Sequence, residues 1–368
     1  MKRYIAVDSG KFSSKVVEYL PDKKCIRKMP IRTKASAGDF RDDAIEEKTV
    51  VVEIDGNVYK IGKGARGNGA ELETSKTSEI HKLCILTALA TYASANEVDE
   101  IYLAIGLPAM EWDNVKTREE HRGILPLGQT TVSIKTSSNA QVKKKVFDIK
   151  KIFVYPESIG PLLIDGIFET INNSSITGVI DIGNLNMNAS YWQGTDFKAD
   201  KSLTTEDGGA ILIQELAQEI SSNVTFCDDM IAANILKSET KTLPENINLS
   251  AEEIETCNKI TKNVLKKHAN KIKRNCKARN WPLNLMNIIA IGGTAIDIKD
   301  ELIEEFGDRI TFLPNSEFIN AFGFLRMMCS QFPELGLIPL VEEKELKNQT
   351  GNISDAAKNG ANKSSKTA

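Results

Sequence analysis

Val7-Asp8-Ser9-Gly10-Lys11-Phe12-Ser13-Ser14-Lys15 follows directly on the apolar run Tyr4-Ile5-Ala6-Val7. The run reads as a buried strand ending in a tight turn, with Gly10 where the turn leaves little room for a side chain. Beyond it, Lys15-Val16-Val17-Glu18-Tyr19-Leu20 alternates like the second arm of a hairpin. Backbone N–H groups of such a turn can hold phosphate oxygens. Lys15 adds a point charge, and Asp8 suits a place beside a hydrated magnesium ion. One such turn decides little, because Asp-x-Gly after a strand is usually just a turn.

The motif recurs. Thr177-Gly178-Val179-Ile180-Asp181-Ile182-Gly183-Asn184-Leu185-Asn186-Met187-Asn188-Ala189-Ser190-Tyr191-Trp192 repeats the order of apolar strand, Asp-x-Gly, polar turn and alternating strand. Two such hairpins about half a chain apart predict two similar domains facing one cleft. A third glycine turn, Ile288-Ile289-Ala290-Ile291-Gly292-Gly293-Thr294-Ala295, again follows a buried strand. A strand running into a diglycine fits close backbone approach to a flat ligand such as a nucleoside.

These three turns resemble the nucleotide loops of the actin superfamily. Asp8-x-Gly10 with Lys15 is similar to its first phosphate loop, Asp181-x-Gly183 to its second, and Gly292-Gly293-Thr294 to its adenosine loop. Tyr155-Pro156-Glu157-Ser158-Ile159-Gly160 and Asn320-Ala321-Phe322-Gly323 resemble the starts of its two interdomain helices. Ile105-Gly106-Leu107-Pro108 resembles an element of the ParM-like, plasmid-segregation and archaeal branch. The likeness spans roughly residues 1–335.

The resemblance implies an α/β fold, actin-like (ribonuclease H-like), duplicated into two domains with nucleotide in the interdomain cleft. The expected domains are 1–157, joined by a C-terminal helix at about 330–343, and 158–329, with 344–368 a disordered tail or contact arm. It further implies an ATPase binding ATP, with GTP as the alternative, and magnesium near Asp8 and Asp181 through water. The nucleotide contacts it implies are Asp8, Ser9, Gly10, Lys11, Lys15, Asp181, Gly183, Asn184, Gly292, Gly293 and Thr294. By position alone, Gln214 and Glu215 would face the base or ribose. Glu157 would orient the hydrolytic water or act as general base, helped by Asp181; its bland reading is a helix N-terminal Glu that favours the dipole. The implied partners are further copies of the chain, head to tail in a filament, and a DNA-binding adaptor protein carrying plasmid cargo.

Bulk properties set the outer limits. At 368 residues with 41% hydrophobic content, the chain can bury cores in about two domains. A net charge of −3 argues against a whole-chain electrostatic footprint for DNA or membrane. The six cysteines include no C-x-x-C pair, which fits reduced thiols in a cytoplasm and disfavours a zinc site. His81, His121 and His268 lack metal-ligand spacing. No signal peptide or spanning run is visible, so the protein is expected to be soluble and cytoplasmic.

Along the chain, Lys24 to Arg32 reads as a third strand and Ala35 to Lys48 as a loop. Asp55-Gly56-Asn57 joins a second hairpin, and the glycine-rich 62–73 reads as a mobile connection. Helices are expected over 78–95, with one buried face, and over 112–123, 158–169, 210–221, 227–237, 250–279, 295–306 and 316–331. Strands are expected over 101–105, 130–134, 141–147, 150–154, 197–203 and 310–312, with 171–177 a linker. The basic second half of 250–279 reads as a solvated face, open to a filament contact but not to DNA.

Two rivals share the superfold: a small-molecule (sugar-type) kinase, which needs an acceptor pocket with a carboxylate base, and a cell-shape actin homologue. The kinase would not polymerise. The cell-shape branch commonly carries a membrane-binding amphipathic segment, and neither terminus offers one.

Overall fold

In the computed structural model the N-terminal apolar run is strand β1 (Lys2–Ser9), with Tyr4, Ile5, Ala6 and Val7 all buried. Residues 1–41, 45–67, 69–70, 75–165, 167, 171, 174–243 and 249–343 are described by the structure. The tail from 344, and parts of 62–73, 158–169 and 171–177, lie outside the described residues. Two compact units form. One comprises Met1–Gly106, Glu120–Tyr155 and the described residues from Ala321 on; the other comprises Leu107–Glu119 and Pro156–Asn320.

The first unit continues with β2 (Ser13–Leu20), β3 (Cys25–Arg32), β4 (Ala35–Ala37), β5 (Thr49–Ile54), β6 (Asn57–Gly62) and helix α1 (Glu79–Tyr92). Strand β7 (Asp99–Leu107), β8 (Gly128–Lys135) and β9 (Lys143–Pro156) follow, while the intervening short helix α2 (Ala109–Trp112) and α3 (Val115–Arg122) up to Glu119 belong to the second unit. Its nine-stranded sheet has the order β3-β2-β1-β7-β9-β8-β5-β6-β4. β1 pairs antiparallel with β2 and parallel with β7. Helix α1 buries every residue from Leu83 to Ala90, so it is covered on all sides rather than on the single face expected.

The second unit holds β10 (Ile176–Ile182), β11 (Met187–Gln193), β12 (Asp196–Phe197), β13 (Leu203–Thr205), α4 (Gly209–Asn223), α5 (Asp229–Lys237) and α6 (Ala251–Ala278). After them come β14 (Asn287–Ile291), α7 (Gly293–Asp297), α8 (Lys299–Phe306) and β15 (Ile310–Phe312); α9 (Ile319–Cys329) starts in this unit, and its residues from Ala321 on belong to the first. The sheet order is β12-β11-β10-β14-β15, with β13 paired to β11. This repeats the order β3-β2-β1-β7-β9 of the first unit, down to the antiparallel hairpin flanked by a parallel strand. Leu212, Leu216 and Ile220 of α4 pack with Val264, Leu265 and Ile272 of α6 in its core. α6 starts as its sequence predicts: the Ser250 side chain accepts from the Glu253 N–H while Glu253 reaches back to the Ser250 N–H.

Several expectations are corrected. Among the described residues of 158–169 no α-helix forms; a 3-10 turn at Gly160–Leu163 takes its place, because Ser158 is left-handed (φ 66°) and Pro161 has no N–H to donate. The strand expected over 197–203 is interrupted by a 3-10 turn at Ala199–Lys201. There the Ser202 hydroxyl donates to the Lys198 carbonyl and Trp281 Nε1 to the Lys201 carbonyl, replacing ladder bonds. Residues 295–306 split at Ile298, whose backbone leaves helical geometry (φ −114°, ψ 29°) to seat its side chain in the core. Residues 112–123 likewise lie in two helices, α2 and α3. Between 330 and 342 no α-helix forms; the chain makes a 3-10 turn at Pro333–Leu335 and a parallel bridge from Glu342 to Ile26. Within the expected loop 35–48, β4 pairs with β6.

Candidate functional site

The hairpin turn of the first unit is built so that Asp8, the last inward position before the loop, faces the base of Lys15. Register pairs Asp8 with Lys15 and Ser9 with Ser14, leaving residues 10–13 as the loop. A Cβ on Gly10 would lie 2.7 Å from the Ser13 carbonyl oxygen, so the turn closes only around a glycine, and Lys15 Nζ lies in ordinary contact range of the same point at 3.6 Å. Thr33 fixes the loop, donating to the Gly10 carbonyl at 2.6 Å and sharing a hydroxyl contact of 3.1 Å with Ser14. The Gly10 N–H bonds back to the Asp8 carbonyl at 3.0 Å. Ser9 Oγ is buried and makes no hydrogen bond.

A second cation, Lys76, lies 3.6 Å from Asp8 Oδ1, and both side chains are almost fully buried. Below it sit two buried imidazoles. Burial first, then the nearby Lys76, pushes His81 down to about 3 and His121 down to about 4, so both are neutral at physiological pH. His121 Nε2 lies 3.1 Å from the Gly106 carbonyl, whereas neither nitrogen of His81 finds a partner. Lys11, Lys15 and Lys76 thus gather positive charge at this turn in an acidic chain, with Asp8 as its embedded carboxylate.

The turn of the second unit has the same plan. Asp181 pairs with Asn188 and Ile182 with Met187, so residues 183–186 form a loop of equal length, opened by Gly183 as the first is opened by Gly10. The Gly183 N–H closes on the Asn186 carbonyl at 2.9 Å. Here the position of Lys15 is taken by Asn188, whose Oδ1 accepts from Thr204 at 2.8 Å. Positive charge is thus concentrated on the first turn.

Three other elements meet this second loop. The first amides of α4 donate to it, Gly209 to the Gly183 carbonyl at 3.0 Å and Ala210 to the Asn184 carbonyl at 2.6 Å. Thr294 Oγ1 donates to the same Gly183 carbonyl at 2.9 Å. Gly292, at φ 95°, packs so closely that a Cβ would lie 2.3 Å from the Ile182 carbonyl oxygen and 2.8 Å from Asp181 Oδ1. Gly293 is different: a Cβ there would meet nothing within 4 Å. Asp207, at the entry to α4, accepts from Lys271 at 2.6 Å and Asn275 at 2.8 Å, tying that entry to α6.

Glu157 is buried at the end of β9, where its N–H donates to the Leu107 carbonyl at 2.8 Å. Asn320 accepts from the Ser158 N–H at 2.9 Å and donates to Asp181 Oδ2 at 3.0 Å. Within the second unit the structure therefore brings together Asp181, Gly183, Asn184, Gly292 and Thr294, and links them to the residue after Glu157. Within the first it brings together Asp8, Ser9, Gly10 and Lys15, with Lys11 close enough to His81 to depress it. Gln214 and Glu215 are exposed on α4, and Glu215 contributes, after Asp207, to raising the Lys271 ammonium.

Sequence reasoning missed Lys76, Gly208–Gly209 as partners of the second loop, and the side chain of Asn320. Lys76 has no motif around it. A Cβ on Gly208 would lie 2.5 Å from the Asn186 N, a close approach that the diglycine before α4 does signal.

The residues fit a magnesium nucleotide in chemical kind. Each turn, taken by itself, opens on a glycine, lysines adjoin the first, and the buried hydroxyl of Ser9 has no partner. Among the described residues no three His, Cys, Asp or Glu side chains gather to hold a metal. Magnesium bound mainly by phosphate oxygens and water needs only one or two carboxylates nearby.

A duplicated unit of this sheet order, with an Asp-x-Gly turn in each copy, defines the actin-like fold. Residues 6–160 match the family of actin like proteins, N terminal domain. The likeness to that family thus covers the first part of the chain, and the fold as a whole is actin-like. No curated protein matches it by sequence. Among solved structures it is similar to the Alp12 filament (21% identity, 90% of this chain and 99% of that one, TM-score 0.67). It is also similar to Ta0583, an archaeal actin homolog in complex with ADP (18%, 87% and 97%, 0.67). A third likeness is to the 15-stranded ParM filament from Clostridium botulinum (17%, 90% and 99%, 0.64).

Proposed function

We propose that the chain is a nucleotide-dependent, filament-forming ATPase that moves plasmid DNA through a DNA-binding adaptor. The observation that carries the reading is the pair of equivalent four-residue turns, each closed by a glycine and each with an aspartate at the same register position. They are the right shape for phosphates, and the lysines sit on one of them. ADP on the archaeal homolog and the filaments formed by the Alp12 and ParM relatives support the nucleotide and the self-assembly. A net charge of −3 supports an adaptor, rather than this chain, as the DNA-binding component.

The chain's own residues divide the work. Gly10 and Gly183 use their N–H groups inside the loops, so the amides that follow them hold the phosphate oxygens. Lys15 and Lys76 supply positive charge, and Lys76 leaves Asp8 for phosphate when nucleotide enters. Asp8 and Asp181 hold magnesium through water; when bound, it neutralises charge on the transferring phosphoryl group. Gly293 gives the nucleoside a flat backbone surface, with Gly292 and Thr294 fixing that backbone. Glu157 orients the attacking water for in-line displacement.

Phosphate release and nucleotide affinity test this on wild type, Glu157→Ala and Lys76→Ala. Glu157→Ala is expected to bind nucleotide normally and lose about a hundredfold in release, as a group acting in the transition state should. Lys76→Ala is expected to weaken binding as well. A wild type that binds no nucleotide contradicts the reading. A wild type that phosphorylates a small acceptor instead of water selects the kinase.

A further inference from the structure

We infer that Asn320 is a positioning residue, whose single carboxamide sets the Asp181 carboxylate and the Glu157–Ser158 turn in fixed relation. The inference rests on the ATPase reading for its functional arm, but its structural arm stands independently.

Asn320 lies in the first turn of α9 and is 4% exposed. Its Oδ1 accepts from the Ser158 N–H at 2.9 Å and its Nδ2 donates to Asp181 Oδ2 at 3.0 Å. The orientation of the amide is dictated by its partners, since a backbone N–H only donates and a carboxylate only accepts. Aspartate at 320 would keep the first bond and oppose Asp181 with a second carboxylate. Alanine would remove both bonds.

Each partner of Asn320 is constrained from another side. Ser158 is held at φ 66°, a conformation serine rarely adopts, and its hydroxyl donates to the Glu157 carbonyl at 2.5 Å. The Glu157 N–H is anchored to Leu107 at 2.8 Å. Gly160 lets the chain pass the start of α9: a Cβ there would lie 2.4 Å from the Ile319 carbonyl oxygen and 2.8 Å from Asn320 Cα. Asp181 Oδ1 faces the Gly292 backbone at a distance that admits no Cβ. A strained turn beside one candidate catalytic carboxylate and the side chain of the other thus share one buried amide. Strain at a non-glycine residue persists only where its surroundings over-determine it, and Asn320 supplies that determination.

Double-mutant cycles test both arms. For the structural arm, Asn320→Ala is measured by urea midpoint in the wild-type and Ser158→Gly backgrounds. Glycine accepts the left-handed turn unaided, so the loss from Asn320→Ala is expected to shrink by about half in that background. For the functional arm, Asn320→Ala is expected to slow single-turnover phosphate release about tenfold while the affinity for a fluorescent ATP analogue changes less than about threefold. In an Asp181→Ala background the same change is expected to add no further slowing. Equal midpoint losses in both backgrounds overturn the structural arm. Slowing that multiplies unchanged onto Asp181→Ala overturns the functional arm. A wild type that neither binds nor hydrolyses nucleotide overturns the ATPase reading and with it the functional arm, while the urea cycle still decides whether Asn320 holds the turn.

Discussion

Gly292 and Gly293 are adjacent, yet they are glycine for different reasons. Gly292 needs a positive φ and has no room for a side chain, so Gly292→Ala is expected to destabilise by at least about 2 kcal/mol. Gly293 needs neither within the protein. Gly293→Ala, at the first residue of α7, is expected to leave the thermal midpoint unchanged or slightly raised while weakening nucleotide binding, because the new methyl enters the space assigned to the nucleoside. Binding isotherms beside melting curves separate the two; unchanged affinity in Gly293→Ala would remove the nucleoside from that surface. The three histidines give a second test at this scale. Burial first holds His81 down to about 3, and His121 and His268 down to about 4. Below the ordinary histidine pKa near 6.5 the unfolded chain takes up protons that the folded chain refuses. Stability is then complete above about pH 6.5 and falls on acidification, by up to about 1.4 kcal/mol per pH unit for each histidine. Asp297, pushed up by burial, works the other way, but as one group against three. Urea midpoints at pH 7.5, 6 and 5 check the sign.

At the scale of elements, what was legible in the sequence depended on how local its cause is. The hairpin at Asp8-x-Gly10 and the capping box at Ser250 are spelled by residues within four positions of each other, and both appear as expected. Ser250→Ala is expected to cost about 1 kcal/mol through the lost cap, read as a shifted urea midpoint with an unchanged slope. The short 3-10 turns were not legible, because distant groups compete for their backbone: Trp281 for Lys201, and Asn320 for Ser158. The basic half of α6 reads differently once folded. Lys271 pairs with Asp207, Lys273 with Glu305, and Lys266 with Glu304, so part of this charge ties α6 to the entry of α4 and to α8. Lys76 was invisible for the same reason: its meaning lies in Asp8, 68 positions away in sequence.

At the scale of the whole chain, duplication was the readable feature, since the same turn appears twice and the same sheet order follows from it. The asymmetry between the copies was only partly readable: Lys15 in one and Asn188 in the other are visible, but the added Lys76 and the buried histidines are not. All six cysteines are buried and free. Among the described residues no helix is long and apolar enough to cross a membrane. A subunit contact that does not close into a ring gives an open polymer with a concentration threshold. High-speed sedimentation of wild type and Glu157→Ala, with and without magnesium ATP across a range of protein concentration, tests it most directly. The account predicts that wild type pellets only with nucleotide and above a threshold, and that Glu157→Ala forms longer-lived polymer while releasing little phosphate. Wild type that stays in the supernatant at every concentration while still consuming ATP would contradict it.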